Sequence, residues 1–190
     1  MALWPLRKLS GESLQVSMAG IKLGDRLLVV GCTDAILLAQ LAVKTGLTGR
    51  AFAVDEREAI VTAAGEIARR EGALVETAAA PWTSLPVEND SFDVAVVRDV
   101  LPHLPAHRRA ACAAEVARAL RPGGRCLLID GTIRRGLSVL VRGGSSPDDY
   151  GQEGGPVQLL TSQGFKAARI LAERDGLVFA EAVKPAIGRV

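Results

Sequence analysis

Apolar positions along the chain come in short runs that alternate with longer amphipathic stretches. RLLVV (26–30) is a β-branched run bounded by Gly24-Asp25 and Gly31, the pattern of a buried strand. Asp34 to Lys44 then shows helical spacing closed by Gly46, and RAFAVD (50–55) reads as a second strand. Arg57 to Glu71 places Ile60, Ala64, Ile67 and Ala68 on one face, with Gly72 as its stop. ALVET (73–77), FDVAVV (92–97) and RCLLID (125–130) are predicted as the third, fourth and fifth strands. A loop with Pro81 and Pro86 separates the first two of these. An alanine-rich helix, Ala106 to Ala119, stopped by Pro122-Gly123-Gly124, precedes the last.

Beyond the fifth strand, 133–155 is rich in Gly, Ser and Asp and reads either as a lid or as a plain surface excursion. PVQLLTSQGF (156–165) is a short helix ending at Gly164. KAARILAE and GLVFAEAVK flank Arg174-Asp175-Gly176, a hairpin signal because Asp-Gly suits a tight turn between apolar runs. Strand–helix alternation of this kind predicts an α/β fold. The sheet is doubly wound, seven-stranded and mostly parallel, with helices on both faces and a C-terminal antiparallel hairpin. All 190 residues are read as one domain, with 1–23 as a helical lead-in that packs Trp4, Leu6 and Leu9.

Composition adds exclusions. With 48% hydrophobic residues the chain has ample material for a core, and a net charge of +2 supplies no general pull toward nucleic acid or an anionic membrane. The 3 cysteines, Cys32, Cys112 and Cys126, are widely spaced. They fit neither a zinc motif nor a disulfide framework and are expected as buried, reduced thiols. The N-terminus lacks the apolar run of a signal peptide, and no segment approaches a membrane span, so a cytoplasmic protein is expected. The expected partner is a small-molecule substrate; a homodimer is compatible with the sequence.

Candidate chemistry starts at the first turn. In doubly wound sheets ligands bind beyond the carboxyl ends of the strands, where strand order reverses. Gly31 ends the first strand and lets the backbone turn unobstructed. Asp55 ends the second strand, where a carboxylate either accepts both hydroxyls of a ribose or caps the next helix. A nicotinamide site would need Gly-x-Gly-x-x-Gly, but the three positions here hold Gly31, Thr33 and Ile36.

Two later stretches are more specific: LPVENDSFDVAVVRDVLPHLP (85–105) and ARALRPGGRCLLID (117–130). With GCTDA, AVDERE (53–58), LLTSQGF and the closing EAVKP, they make the chain resemble the class I S-adenosylmethionine-dependent methyltransferases. The nearest pattern is the branch acting on small, quinone-type molecules, which has a Rossmann-like fold. The resemblance implies S-adenosylmethionine as cofactor. Gly31, with Cys32 and Thr33, would approach its methionine part and Asp55 its ribose. Glu56 and Arg57 would lie beside the adenine, and Trp82 would stack on the adenine or serve as a core residue. Arg98 and Asp99 would face the sulfonium and the substrate, while Gly123 and Gly124 would shape a turn and touch nothing. Asp99 and His103 are the candidate bases, His103 alternatively closing a helix end.

The chain departs from the family pattern at Val29, Thr33, Ala35 and Pro81. Val29 and Pro81 stand where the family carries acids; Thr33 and Ala35 stand where it carries glycines. Asp34 either compensates by reaching the cofactor's amino group or caps the first helix. His107, beside Arg108 and Arg109, is expected on a solvated helix face, and Arg134, Arg135 and Arg142 either meet an acidic substrate or keep a loop soluble. Two functions follow: methyl transfer to a small molecule, or a binding or regulatory subunit that has lost the cofactor.

Overall fold

A computed structural model describes residues 13–131, 150, 151 and 153–186. Trp4, Leu6, Leu9 and the three loop arginines Arg134, Arg135 and Arg142 lie outside the described residues.

Seven strands form a single sheet in the order β3-β2-β1-β4-β5-β7-β6. β1 (Arg26–Val30), β2 (Arg50–Asp55), β3 (Glu76–Ala79), β4 (Phe92–Arg98) and β5 (Leu120–Gly131) are mutually parallel. β6 (Lys166–Arg174) and β7 (Leu177–Val183) form the antiparallel hairpin, and β7 inserts antiparallel beside β5. The connecting turn places Asp175 at φ 55° and Gly176 at φ 76°, the two positive angles that a tight hairpin turn demands. The order reverses between β1 and β4, the switch point at which open α/β sheets take ligands beyond the carboxyl ends of their strands.

Helices cover both faces. α1 (Leu14–Ala19), α2 (Ala35–Thr45) and α3 (Glu58–Arg70) pack on one, burying Leu37, Leu38, Leu41, Ala64 and Ala68 against Leu27, Val29 and Ala53. α4 (Ala106–Ala119) and α5 (Gly155–Ser162) cover the other, where Cys112, Val116 and Leu160 meet Leu28, Val30, Phe92 and Leu128. Among the described residues no helix is long and apolar enough to cross a membrane. All three cysteines are buried free thiols.

Two boundaries differ from expectation, each for a local reason. β3 starts three residues late, at Glu76 rather than Ala73. The intervening backbone closes α3 instead: Gly72 at φ 78° donates to the Arg69 carbonyl and Ala73 to the Ala68 carbonyl, at 3.1 and 2.9 Å. β5 begins at Leu120, directly after α4, so Pro122-Gly123-Gly124 lies inside the strand rather than in a bare turn. Gly123 N–H donates to the Lys184 carbonyl and Lys184 N–H to the Gly124 carbonyl, both at 2.9 Å. Both glycines therefore shape the entry to β5 through main-chain pairs.

Candidate functional site

The turn after β1 is shaped by its neighbour β4. Gly31 sits at φ 90°, and a Cβ there would lie 2.5 Å from the Arg98 carbonyl oxygen and 2.7 Å from the Val100 side chain. The chain's own backbone thus requires this glycine. Thr33 points to solvent and Asp34 caps α2, accepting from Leu37 N–H at 3.0 Å, so the capping reading of Asp34 holds. Ala35 opens that helix, and Val29 lies in the core on the α1–α3 face.

Asp55, at the tip of β2, is fully buried. Each carboxylate oxygen accepts one backbone hydrogen: Oδ1 from Arg57 N–H at 3.1 Å and Oδ2 from Cys32 N–H at 3.0 Å. The Arg57 guanidinium fills the second position on each, Nε to Oδ1 at 2.9 Å and Nη2 to Oδ2 at 3.1 Å. Desolvation pushes the carboxyl pKa upward, but Arg57 and the two backbone donors outweigh it and hold the group below the usual aspartate value. The neighbouring Cys32 thiol is pushed up to about 12, by burial first and the Asp55 charge second, and is inert.

A second cluster lies beside it. Glu56 accepts from Trp82 N–H at 3.2 Å and from Arg108, which reaches across from α4. Trp82 is half-buried against the α4-side core, and its indole N–H is enclosed with no partner among the described residues. Pro81 next to it is exposed. Arg108, beside His107, ties α4 to the tip of β2. Arg109 is 1% exposed and so lies in the interior; His107 alone of the three is exposed.

The tips of β4 and β5 bring the candidate bases together. Asp99 stands at φ 54°, an uncommon angle for a side-chain-bearing residue. Its Oδ1 accepts from Gly131 N–H at 3.3 Å, with His103 Nε2 at 3.7 Å and Arg98 Nη1 at 3.9 Å. His103 closes the short 3-10 turn Leu101–His103 and is exposed. Arg98 donates to the Ile129 carbonyl at 3.3 Å, and its Nε is enclosed without a partner among the described residues.

Sequence reasoning missed three residues here. Asp130, at the end of β5, is 4% exposed; its Oδ2 lies 3.5 Å from the Tyr150 hydroxyl, and its Oδ1 has no partner among the described residues. Arg109 stacks its guanidinium over the Tyr150 ring at 5.1 Å, donates to the Leu101 carbonyl at 3.2 Å and pairs with Glu153 at 2.7 Å. A signal for Asp130 existed: RAFAVD and RCLLID both end an apolar strand in aspartate. Arg109 falls on the buried stripe with Cys112, Ala113 and Val116. Tyr150 carried no signal in a bland segment.

Comparison with known proteins speaks to the family and the fold. The profile of a methyltransferase domain matches residues 28–128. A 2-phytyl-1,4-naphtoquinone methyltransferase of Synechococcus elongatus is 29% identical over 137 residues, covering 69% of this chain and 55% of the relative. The chain thus spans about half the length of the curated relatives it matches. A SAM-dependent methyltransferase from Aquifex aeolicus superposes with TM-score 0.71 at 19% identity, over 88% of this chain and 86% of that one. A [4+2]-cyclase superposes with TM-score 0.68 at 18% identity, over 91% and 79%. At such identities the structural likeness speaks for the fold, and the family rests on the profile match. With that match running from β1 into β5 of a seven-stranded sheet, this chain belongs to the methyltransferase domain family.

Proposed function

We propose that this chain binds S-adenosylmethionine across the tips of β1 and β2 and directs its methyl group to a small, quinone-type acceptor at the tips of β4 and β5. The arrangement around Asp55 carries this reading. Two backbone N–H groups fix the carboxylate, and a further acceptor position remains on each oxygen. Both are now filled by the Arg57 guanidinium, whose side chain is 54% exposed and can swing into solvent. A ribose diol likewise offers two adjacent donors, its neighbouring hydroxyls. Exchange of one for the other keeps every bond count on Asp55 unchanged, so the residues present fit the group.

When bound, the cofactor supplies an already activated methyl group on sulfur. The chain's part is to align the acceptor and exclude water. Asp99, braced by Gly131 and near His103, is placed to take a proton from an acceptor hydroxyl. Glu56, Arg108 and Trp82 form the wall on the adenine side.

One observation favours a second reading. Asp55 is already satisfied by the protein itself, as expected in a binding or regulatory subunit that no longer takes cofactor. A thermal-shift titration separates the two. S-adenosylmethionine or its demethylated product should raise the melting temperature. Asp55→Ala should weaken that binding about tenfold or more, since a hydrogen bond to a charged group contributes about 1.5–3 kcal/mol. A folded protein that shows no shift at millimolar ligand would support the second reading; an unchanged affinity in the variant would remove the ribose role.

A further inference from the structure

We propose that Arg109 anchors a carboxylate-binding pocket between α4 and α5, which takes a small aromatic carboxylate and is filled here by the chain's own Glu153. Arg109 and Glu153 line a cavity of about 140 Å³ together with Ala106 of α4, Tyr150, and Gly155 and Leu159 of α5. Arg109 is 1% exposed, yet its guanidinium is only partly used. Nε donates to the Leu101 carbonyl at 3.2 Å, Nη1 pairs with Glu153 Oε2 at 2.7 Å, and Nη2 is enclosed with no partner among the described residues. Buried donors are nearly always paired, so an idle one on a charged group marks an incomplete site. A free carboxylate meets the end of a guanidinium fork with two parallel bonds. Glu153, tethered to its own backbone, makes one.

The surroundings favour an anion with an apolar body. Gly155, the first residue of α5, lies in the cavity wall, and α5 has neither a side-chain cap nor an acidic residue in its first turn. Nothing within that helix therefore neutralises its free N–H groups or the positive end of its dipole. The rest of the wall sets the ligand's shape. The Tyr150 ring, with the Arg109 guanidinium 5.1 Å from its centre, joins Leu159 and Ala106 in presenting apolar surface. An apolar cavity of about 150 Å³ holds benzene, so one ring carrying one carboxylate is the matching class. Phosphate would leave the apolar wall uncovered. The Glu153 side chain is 49% exposed and precedes Gly154 and Gly155, both at positive φ, so it can turn outward without disturbing the core. Binding then exchanges one carboxylate for another, and Arg109 stays neutralised in both states. None of these residues belongs to a strand tip, so the pocket stands independently of the methyl-transfer reading.

The test is calorimetric titration of the full chain with sodium benzoate at constant ionic strength, with no cofactor added. Glu153→Ala, which vacates the carboxylate position, should bind benzoate about fivefold or more tighter than the native chain. Benzoate should also restore melting temperature that this variant loses. Glu153→Gln, which keeps the shape and removes the charge, should bind with an affinity between the two. Benzamide, neutral and of the same shape, should bind Glu153→Ala about fivefold or more weakly than benzoate, and so should inorganic phosphate. Ala106→Phe, added to Glu153→Ala, fills the cavity from an exposed helix position and should abolish the gain. A Glu153→Ala protein, folded by circular dichroism, that binds benzoate no more tightly than the native chain would overturn the proposal. So would benzamide or phosphate matching benzoate, or a gain that survives Ala106→Phe. Should Glu153→Ala fail to fold, Glu153→Gln decides, and native affinity in that variant would overturn the proposal equally.

Discussion

Two aspartates at strand tips carry opposite electrostatics, and each has a consequence that can be measured. The Asp55 carboxyl is held below its ordinary pKa, so its ion pair stabilises the fold above the unfolded value near 4 and loses that contribution as pH falls through the folded value. Asp130 is raised to about 7. Between about pH 4 and 7 the native state then holds the extra proton, and stability declines as pH rises through that window. Asp130→Asn removes the titration. Its stability relative to the native chain should improve by about 1 kcal/mol or more on going from pH 5 to pH 8, as read from urea unfolding at both values; a constant difference would show that Asp130 ionises normally. Gly31 is a separate case. A Cβ 2.5 Å from the Arg98 carbonyl, at φ 90°, cannot be accommodated without moving β4 against β1. Gly31→Ala should cost about 2–4 kcal/mol in the same measurement whether or not ligand is present.

At the scale of elements, the loop before β4 is tied to α4 by the Arg118–Glu115 pair. Arg118 on α4 donates to the carbonyls of Leu85 and Val87 at 3.0 and 2.8 Å and to the Asn89 side chain at 2.7 Å. Its ion-pair partner Glu115 accepts from Leu85 N–H at 2.8 Å. Arg118→Ala should therefore speed amide exchange at Leu85 and Val87 about tenfold or more while β1 amides stay protected. Elements of this kind were readable where a local rule suffices. RLLVV has the composition of a buried strand, and α4 spans the residues its periodicity marked. The Asp-Gly hairpin adopts the angles its residue types favour. Boundaries failed where backbone groups took partners distant in sequence. Pro122-Gly123-Gly124 looks like a stop until Lys184 supplies its ladder partner, and Ala73 looks like a strand until Ala68 claims its N–H. The site was half legible for the same reason. Asp55 and Asp99 stand next to quoted turns, whereas Tyr150 meets Asp130 only through tertiary packing, and the Arg57 guanidinium on Asp55 follows from no spacing.

For the whole molecule, strand order sets where chemistry can occur. The reversal between β1 and β4 gathers Asp55, Glu56, Arg98, Asp99 and Asp130 at one edge of the sheet, on the tips of three strands far apart in sequence. A [4+2]-cyclase shares the architecture, so the fold alone does not fix an activity, which must be argued from the side chains. The account turns on whether an adenosyl diol replaces the Arg57 guanidinium on Asp55. Proton–nitrogen spectra of the arginine Nε–H groups, with the Arg57 signal assigned by its loss in Arg57→Ala, read that exchange directly. On saturation with S-adenosylhomocysteine the Arg57 Nε–H resonance should move toward that of a solvated arginine and lose its protection from water exchange. A resonance that stays in place and protected at millimolar ligand would mean that Asp55 is reserved for the protein's own arginine, and the cofactor site would have to be abandoned.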